Sequence, residues 1–266
     1  MENPYLELHR EFRNAGAEVL ISSGQACVLY GIAAFSKDGD WIIRENRRSC
    51  DAVLAVLEKK NARYRLGVPL DPRWLKTGWT SHFEYRLANG FRMRADFCSR
   101  PPRVTDIETM WKNATQRHDA ELVDVESLIL LKQTRRERDF SVIGALAQAA
   151  GLKQGDPAIA LGYLQDYRLL QEAVHRWSEQ ARSCGREAVK LCLQSAPRAV
   201  IVAAIALEKD EKIQADEERI MRYKSEFAQL ADAFMHLKST WEAGVVPLSA
   251  QHRQFLEVAN TMGKHL

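Results

Sequence analysis

The feature that most constrains the fold is a pair of alternating apolar and polar stretches joined by Asn89-Gly90. Residues 80–87 and 91–98 flank this dipeptide, which suits the positive φ angles of a type I′ turn, so we predict a β-hairpin. Alternation in the second arm gives two faces, with Phe91, Met93, Ala95 and Phe97 on one and Arg92, Arg94, Asp96 and Cys98 on the other. One face is therefore suited to a core, and the opposite face is charged.

The chain changes character near residue 150. Before this point, short apolar runs alternate with helical patterns, which predicts helices over 4–16, 25–30, 49–60 (with Ser49 as N-cap) and 125–148, and strands over 17–21, 38–44 and 64–68. Beyond it the pattern is almost wholly helical, over 158–183, 186–194, 199–241 and 249–262. The stretch 199–241 is long for one helix, and Asp210 is the candidate position for a break.

These patterns predict an α/β (α+β) fold. We expect a small mixed sheet with flanking helices in residues 1–150 and an α-helical bundle in residues 151–266.

Composition excludes several classes of protein. The five cysteines are odd in number and widely spaced, with no C-x-x-C pair, which argues against a zinc site or a disulfide framework and favours the cytoplasm. Residues 1–13 are polar and unlike a signal peptide, and the most apolar stretch, 199–207, is about half of what a bilayer requires, so no membrane is expected. A formal charge of +3 is too small to indicate nucleic-acid binding by itself.

Two aspartates, Asp38 and Asp40, stand one glycine apart at the start of a predicted strand. Residues i and i+2 of a strand project from the same face, so the two carboxylates converge, and Asp96 on the charged face of the hairpin is the candidate for a third. Carboxylate oxygens are suitable ligands for Mg²⁺, and two such ions can clamp the attacking and leaving oxygens of a nucleotidyl transfer. The spacing alone leaves open a simple Asp-Gly turn at 38–40 and a surface role for Asp96.

The run from Ser22 to Asp40 (SSGQACVLYGIAAFSKDGD) resembles the signature of the nucleotidyltransferase-fold superfamily, in which a strand enters a glycine turn and a short helix, and an Asp-x-Asp pair follows on the next strand. It looks closest to the bacterial branch written G-G-x-A…H-G-x-x-R-x-T-x-D-x-D, which includes toxin-type members of toxin–antitoxin and abortive-infection systems. The corresponding positions here are Gly24, Ala26, Gly31, Ser36, Lys37, Asp38 and Asp40.

The resemblance implies specific roles for these residues. Asp38, Asp40 and Asp96 would hold Mg²⁺, with a two-metal site possible, and would be catalytic, Asp96 also helping to activate the acceptor as a base. The nucleoside triphosphate would bind at Gly24, Gln25 and Ser36. Lys132, in a run similar to the helix after the family's core, would neutralise the triphosphate, unless it is a solvated charge on a basic helix face.

The resemblance therefore implies an enzyme that moves a nucleotidyl group from a nucleoside triphosphate to RNA, a protein or a small molecule. Four positions depart from the pattern: Gln25 replaces a small residue of the turn, Tyr30 replaces a histidine, Ala34 replaces an arginine, and Gly39 replaces an apolar residue. These departures leave a second hypothesis open, in which the protein is catalytically degenerate and binds a partner protein through its helical half.

Overall fold

The computed structural model describes residues 3–242 and 244–262. It divides into two compact units, Met1–Asp124 with Tyr223–Leu266, and Val125–Arg222. The first unit is thus built from both ends of the chain. The domain boundary predicted near residue 150 rests on a change in the sequence pattern, and it stays a prediction.

The first unit is organised around a seven-stranded mixed sheet in the order β3-β4-β5-β2-β1-β7-β6. Its strands are β1 (Val19–Ser22), β2 (Gly39–Ile43), β3 (Arg63–Gly67), β4 (Ser81–Arg86), β5 (Arg92–Cys98), β6 (Thr115–Arg117) and β7 (Ala120–Leu122). The pairs β2·β5 and β1·β7 are parallel, and the other neighbouring pairs are antiparallel. The predicted mixed sheet is confirmed.

Helices flank this sheet in the first unit and form the second unit. In chain order they are α1 (Pro4–Asn14), α2 (Ser23–Leu29), α3 (Arg47–Lys59), α4 (Pro72–Leu75), α5 (Ile107–Lys112), α6 (Val125–Lys132), α7 (Glu137–Leu146), α8 (Pro157–Tyr163), α9 (Tyr167–Arg176), α10 (Ser178–Ser183), α11 (Glu187–Leu193), α12 (Arg198–Glu242) and α13 (Leu248–Met262), with a π-helical segment at Ala147–Lys153. Among the described residues, no helix combines the length and apolar character needed to span a bilayer.

An aromatic cluster forms the centre of the first unit. The rings of Trp41 on β2 and Phe97 on β5 stack at 5.5 Å, and Phe12 of α1 packs edge-on against both. All three side chains are buried, as the alternating pattern of β5 requires. The opposite face of the same strands therefore carries the charged residues, as predicted.

The hairpin is confirmed, but its predicted type I′ turn is wrong. Gly90 has a φ of +81°, whereas Asn89 is not in the left-handed region. The amide of Gly90 donates to Leu87, the amide of Leu87 donates to Phe91, and the side chain of Asn89 accepts from the Phe91 amide. This is a three-residue loop with glycine in the left-handed position, a common alternative to the two-residue turn.

Several helix boundaries also differ from the sequence-based prediction. Ser49 does not cap α3, because the side chain of Asn46 accepts from the Ser49 amide and begins the helix earlier. The region 158–183 is three helices, of which α8 and α9 begin at the caps Asp156 and Asp166. Conversely, α12 is continuous through Asp210 for 45 residues.

The predicted helix over 125–148 is interrupted between Lys132 and Glu137. Asp139, which is 5% exposed, accepts hydrogen bonds from Thr134 and Arg136, and the Arg135 amide donates to the buried carboxylate of Asp216. The carboxylate of Asp216 thus satisfies a backbone amide at the break, and Asp139 joins the side chains on either side of Arg135, which stabilises the interruption.

Candidate functional site

The three predicted carboxylates lie at adjacent positions of the sheet. Asp40 on β2 is directly opposite Asp96 on the parallel strand β5, and Asp38 lies just before β2 begins. Side chains in register across neighbouring strands share a face, so Asp40 and Asp96 project from the same, charged face. We call Asp38, Asp40 and Asp96 the acidic site.

Basic side chains contact Asp38 and Asp96. Nη1 of Arg94 lies 3.2 Å from Oδ1 of Asp38. Nη2 of Arg65 lies 3.1 Å from each carboxylate oxygen of Asp96, and Nδ1 of His82 lies 2.9 Å from Asp96 Oδ1. Asp96 is 13% exposed and held by two partners, whereas Asp38 is 40% exposed and held by one. The charge of the acidic site is therefore partly balanced by the protein itself.

Among the described residues, no group of three or more Asp, Glu, His or Cys side chains is arranged to hold a metal ion. Asp38 and Asp96 each contact a guanidinium group instead, that of Arg94 and that of Arg65. The chemistry of the donors suits Mg²⁺, but their arrangement is that of ion pairs.

Tyr5 of α1 lies close to the acidic site. Its hydroxyl donates to the carbonyl oxygen of Lys37 at 2.5 Å. The pKa of Tyr5 is raised to about 12, chiefly by burial and also by the negative charges of Asp38, Asp40 and Asp96, against a backbone hydrogen bond from Arg94 that lowers it. All three carboxylates thus act on one hydroxyl, which shows that their negative potential converges.

The predicted nucleotide contacts Gln25 and Ser36 hold the loop that leads to Asp38. Nε2 of Gln25, a residue that is 2% exposed, donates to the carbonyl oxygens of Ser36 and Asp38 at 3.1 and 3.4 Å. The Ser36 hydroxyl donates to the Asp38 carbonyl at 3.0 Å. Gln25 thus supports the acidic site through backbone contacts, a role that the smaller residue of the resembled pattern cannot fill.

Two glycines permit close packing at this site. A Cβ on Gly24 would lie 2.2 Å from Oγ of Ser36, so Gly24 lets the loop rest on α2. A Cβ on Gly39 would lie 2.4 Å from the ring of Trp41 and 2.6 Å from the ring of Tyr5. Gly39 therefore stands between the two aspartates because aromatic rings occupy the space that an apolar side chain would need.

Lys132 belongs to the second unit and not to the sheet-bearing unit. It is 8% exposed, and its Nζ lies 3.8 Å from Oδ1 of Asp139. Its burial argues against the alternative that it is merely a solvated charge.

Sequence reasoning did not find Arg65, His82 or Tyr5. His82 faces Asp96 because the hairpin has a three-residue loop, whereas the predicted two-residue turn would have placed Phe83 there. Matching the apolar faces of the two arms gives the observed register, since Phe83 then pairs with Ala95. No comparable local signal marks Arg65, which lies at a register shift in β3, or Tyr5, which comes from a distant helix.

No family model matches the chain, and no curated protein is significantly similar to it.

Proposed function

We propose that the protein is a Mg²⁺-dependent nucleotidyltransferase that moves a nucleotidyl group from a nucleoside triphosphate to a hydroxyl or phosphate of an acceptor. The observation that carries this proposal is the register of Asp40 with Asp96 on neighbouring parallel strands, with Asp38 two residues before Asp40. Together with the resemblance of the run from Ser22 to Asp40, it supports a toxin-type nucleotidyltransferase, with RNA, a protein and a small molecule as candidate acceptors.

The donors of the acidic site suit Mg²⁺, because hard cations prefer carboxylate oxygens. All three carboxylates raise the pKa of Tyr5, in addition to the larger effect of burial. This supports the view that their negative charges act on the same small region near the Tyr5 hydroxyl. Asp38, Asp40 and Asp96 would hold the metal, which when bound would neutralise charge on the phosphates and polarise them for attack.

Arg94 must release Asp38 before that carboxylate can act as a ligand. Both side chains are partly exposed, at 31% and 40%, and exposed ion pairs typically contribute only about 0–1 kcal/mol. Separating Arg94 from Asp38 therefore requires little free energy. The freed Arg94 guanidinium then lies on the charged face, where it is suited to bind a phosphate oxygen.

In the proposed reaction an acceptor oxygen forms a bond to the α-phosphorus, the bond from that phosphorus to the pyrophosphate oxygen breaks, and pyrophosphate leaves. The proton of the acceptor passes to a carboxylate oxygen of Asp96, which Arg65 and His82 keep in a fixed orientation. Gln25 and Ser36 contribute by holding the loop that carries Asp38.

The test is transfer of radiolabel from nucleoside triphosphates to total cell RNA or lysate in the presence of Mg²⁺. We expect transfer by the wild-type protein and its loss in the Asp38→Ala/Asp40→Ala double variant and in Asp40→Asn. Asp232→Asn on α12, an exposed aspartate outside the acidic site, should retain transfer. Full transfer by the double variant would exclude this mechanism.

The ion pairs favour a second candidate, a catalytically degenerate protein that acts as a binding or regulatory partner. Arg94 and Arg65 already provide positive charge to Asp38 and Asp96. Calorimetry distinguishes the two candidates, since the degenerate protein would show no Mg²⁺-dependent binding of nucleoside triphosphate.

A further inference from the structure

A concave cluster of cations lies where the end of α3 meets strands β3, β4 and β5, and none of Asp38, Asp40 and Asp96 is among its lining residues. A cavity of about 350 Å³ is lined by the cationic side chains of Lys60, Arg63, Arg86 and Arg92 and by the carboxylate of Glu84. We call this cavity the basic groove. Arg63 is in register with Glu84, and Arg86 with Arg92, so strands β3, β4 and β5 each contribute to it.

The charges of the basic groove do not balance. Lys60 pairs with Glu11 at 2.7 Å, and Arg63 pairs with Glu84 at 2.7 Å. Arg92 lies 3.8 Å from that same Glu84 carboxylate, while Arg86 donates to the carbonyl oxygen of Gly90 at 3.2 Å. The described side chains that line the groove thus include four cations and one carboxylate, and one of the cations, Lys60, is paired with Glu11 outside the lining.

Glu84 is the carboxylate around which the cations of the groove are arranged. Burial alone would raise the pKa of this carboxyl group, which is 8% exposed. The hydrogen bond from Arg63 and the charges of Arg63, Arg92 and Lys238 outweigh burial, and the pKa is lowered. Glu84 therefore stays ionised and contacts two guanidinium groups that remain accessible to solvent, since the side chains of Arg63 and Arg92 are 54% and 48% exposed.

We propose that the basic groove binds the phosphate groups of an anionic ligand, with Arg86 and Arg92 as its principal contacts. Guanidinium groups bind phosphate through two parallel N–H···O bonds, and anchored ones lose less freedom on binding. Two sources carry this chemistry, a compact polyphosphate and the backbone of a single-stranded oligonucleotide. The inference concerns the groove alone and does not depend on nucleotidyl transfer at the acidic site.

The experiment measures binding in EDTA, so that metal-dependent binding at the acidic site does not contribute. The probes are tripolyphosphate, by calorimetry, and a fluorescent oligouridylate of about twelve nucleotides, within the usual range of single-strand sites, by anisotropy. The variants are Arg86→Glu and Arg92→Glu, with Arg86→Gln and Arg92→Gln as milder changes. Arg253→Glu, an exposed arginine of α13 outside the groove, is the matched control.

We expect each charge reversal to weaken binding by about tenfold at roughly 50 mM salt. For the oligouridylate, each glutamine variant should make the negative slope of log affinity against log salt less steep by about 0.7. The control should bind as the wild type does. Binding of tripolyphosphate with displacement of the oligouridylate would assign the groove to a compact polyphosphate, and binding of the oligouridylate alone would assign it to a nucleic-acid backbone. The proposal would be overturned if neither probe bound the wild-type protein. It would also be overturned if the Arg86 and Arg92 variants bound as tightly as the wild type at unchanged thermal stability.

Discussion

Packing explains why a glycine, Gly39, stands between Asp38 and Asp40. The rings of Trp41 and Tyr5 fill the position of its missing side chain, and Tyr5 in turn bonds the backbone just before Asp38. The glycine therefore allows α1 to approach β2 closely at the acidic site. Gly39 replaces an apolar residue of the resembled pattern, and the ring of Tyr5 from α1 fills the space that such a side chain would occupy.

We predict that Gly39→Ala destabilises the protein by about 1–3 kcal/mol, the usual cost of overpacking a well-packed core. The clash distances of 2.4 and 2.6 Å involve aromatic rings that have little room to move. Chemical denaturation measures the change. Gly162→Ala in α8 is the control, because a Cβ there meets no atom within 4 Å and alanine favours helix. Equal stability of the two variants would show that the rings can shift.

His9 of α1 gives a residue-scale prediction for pH. It is 1% exposed, its Nε2 accepts from the Glu121 amide, and its Nδ1 is buried without a hydrogen-bond partner among the described atoms. Burial, and then the charge of Arg13, lower the pKa of His9 from 6.5 to about 4. The folded protein therefore holds this side chain neutral over a range in which the unfolded chain would protonate it.

The contribution of His9 to stability should be complete above pH 6.5 and should decline as the pH falls to about 4. Over that window the unfolded state binds more protons, so the free energy of unfolding decreases by an amount on the order of 3 kcal/mol. Urea denaturation at a series of pH values measures it. His9→Gln keeps a hydrogen-bond acceptor but does not titrate, so its pH dependence should be shallower. Parallel curves for the two proteins would refute the assignment.

At the scale of elements, local patterns predicted what depends on one strand or one helix face. The alternation along β5 correctly separated Phe97 from Asp96, whereas Gly24, predicted to form a turn before a helix over 25–30, lies inside the first turn of α2. The partners of Asp96 were not predictable in the same way, because Arg65 and His82 reach it through strand register and a shift in β3. The alternating pattern thus predicted the face on which Asp96 lies, but not the side chains that contact it.

The break between α6 and α7 depends on a residue far along the chain. Asp216 of α12 is 3% exposed and accepts from the Arg135 amide at 2.8 Å and from Arg219 at 2.9 Å. Asp216→Ala should cost about 1–3 kcal/mol, because it removes the charged acceptor shared by the Arg135 amide and the Arg219 guanidinium. Glu217→Ala changes an exposed neighbouring carboxylate and should be near neutral. Thermal unfolding of both variants decides this, and equal midpoints would contradict the structural role of Asp216.

At the scale of the whole molecule, the C-terminal segment completes the unit that carries the acidic site. The side chain of Gln251 accepts from the Tyr64 amide at 3.1 Å, so α13 satisfies a backbone group of the sheet's edge strand β3. Nδ1 of His252 lies 2.8 Å from the Tyr64 hydroxyl, and the Phe255 ring packs edge-on against Tyr64 at 5.3 Å. A boundary drawn from local sequence character cannot include these contacts, because they join residues almost two hundred positions apart.

We therefore expect a chain ending after Arg222 to lose the structure of β3 and β4. It would lose the buried rings of Phe227, Phe234 and Phe255, and at about 2 kcal/mol each these approach the 5–15 kcal/mol of a typical domain. Hydrogen exchange measures the loss as faster exchange of the amides in Arg63–Gly67 and Ser81–Arg86. Adding residues 223–266 as a separate polypeptide should restore protection, whereas full protection in the truncated chain would show that its N-terminal part folds alone.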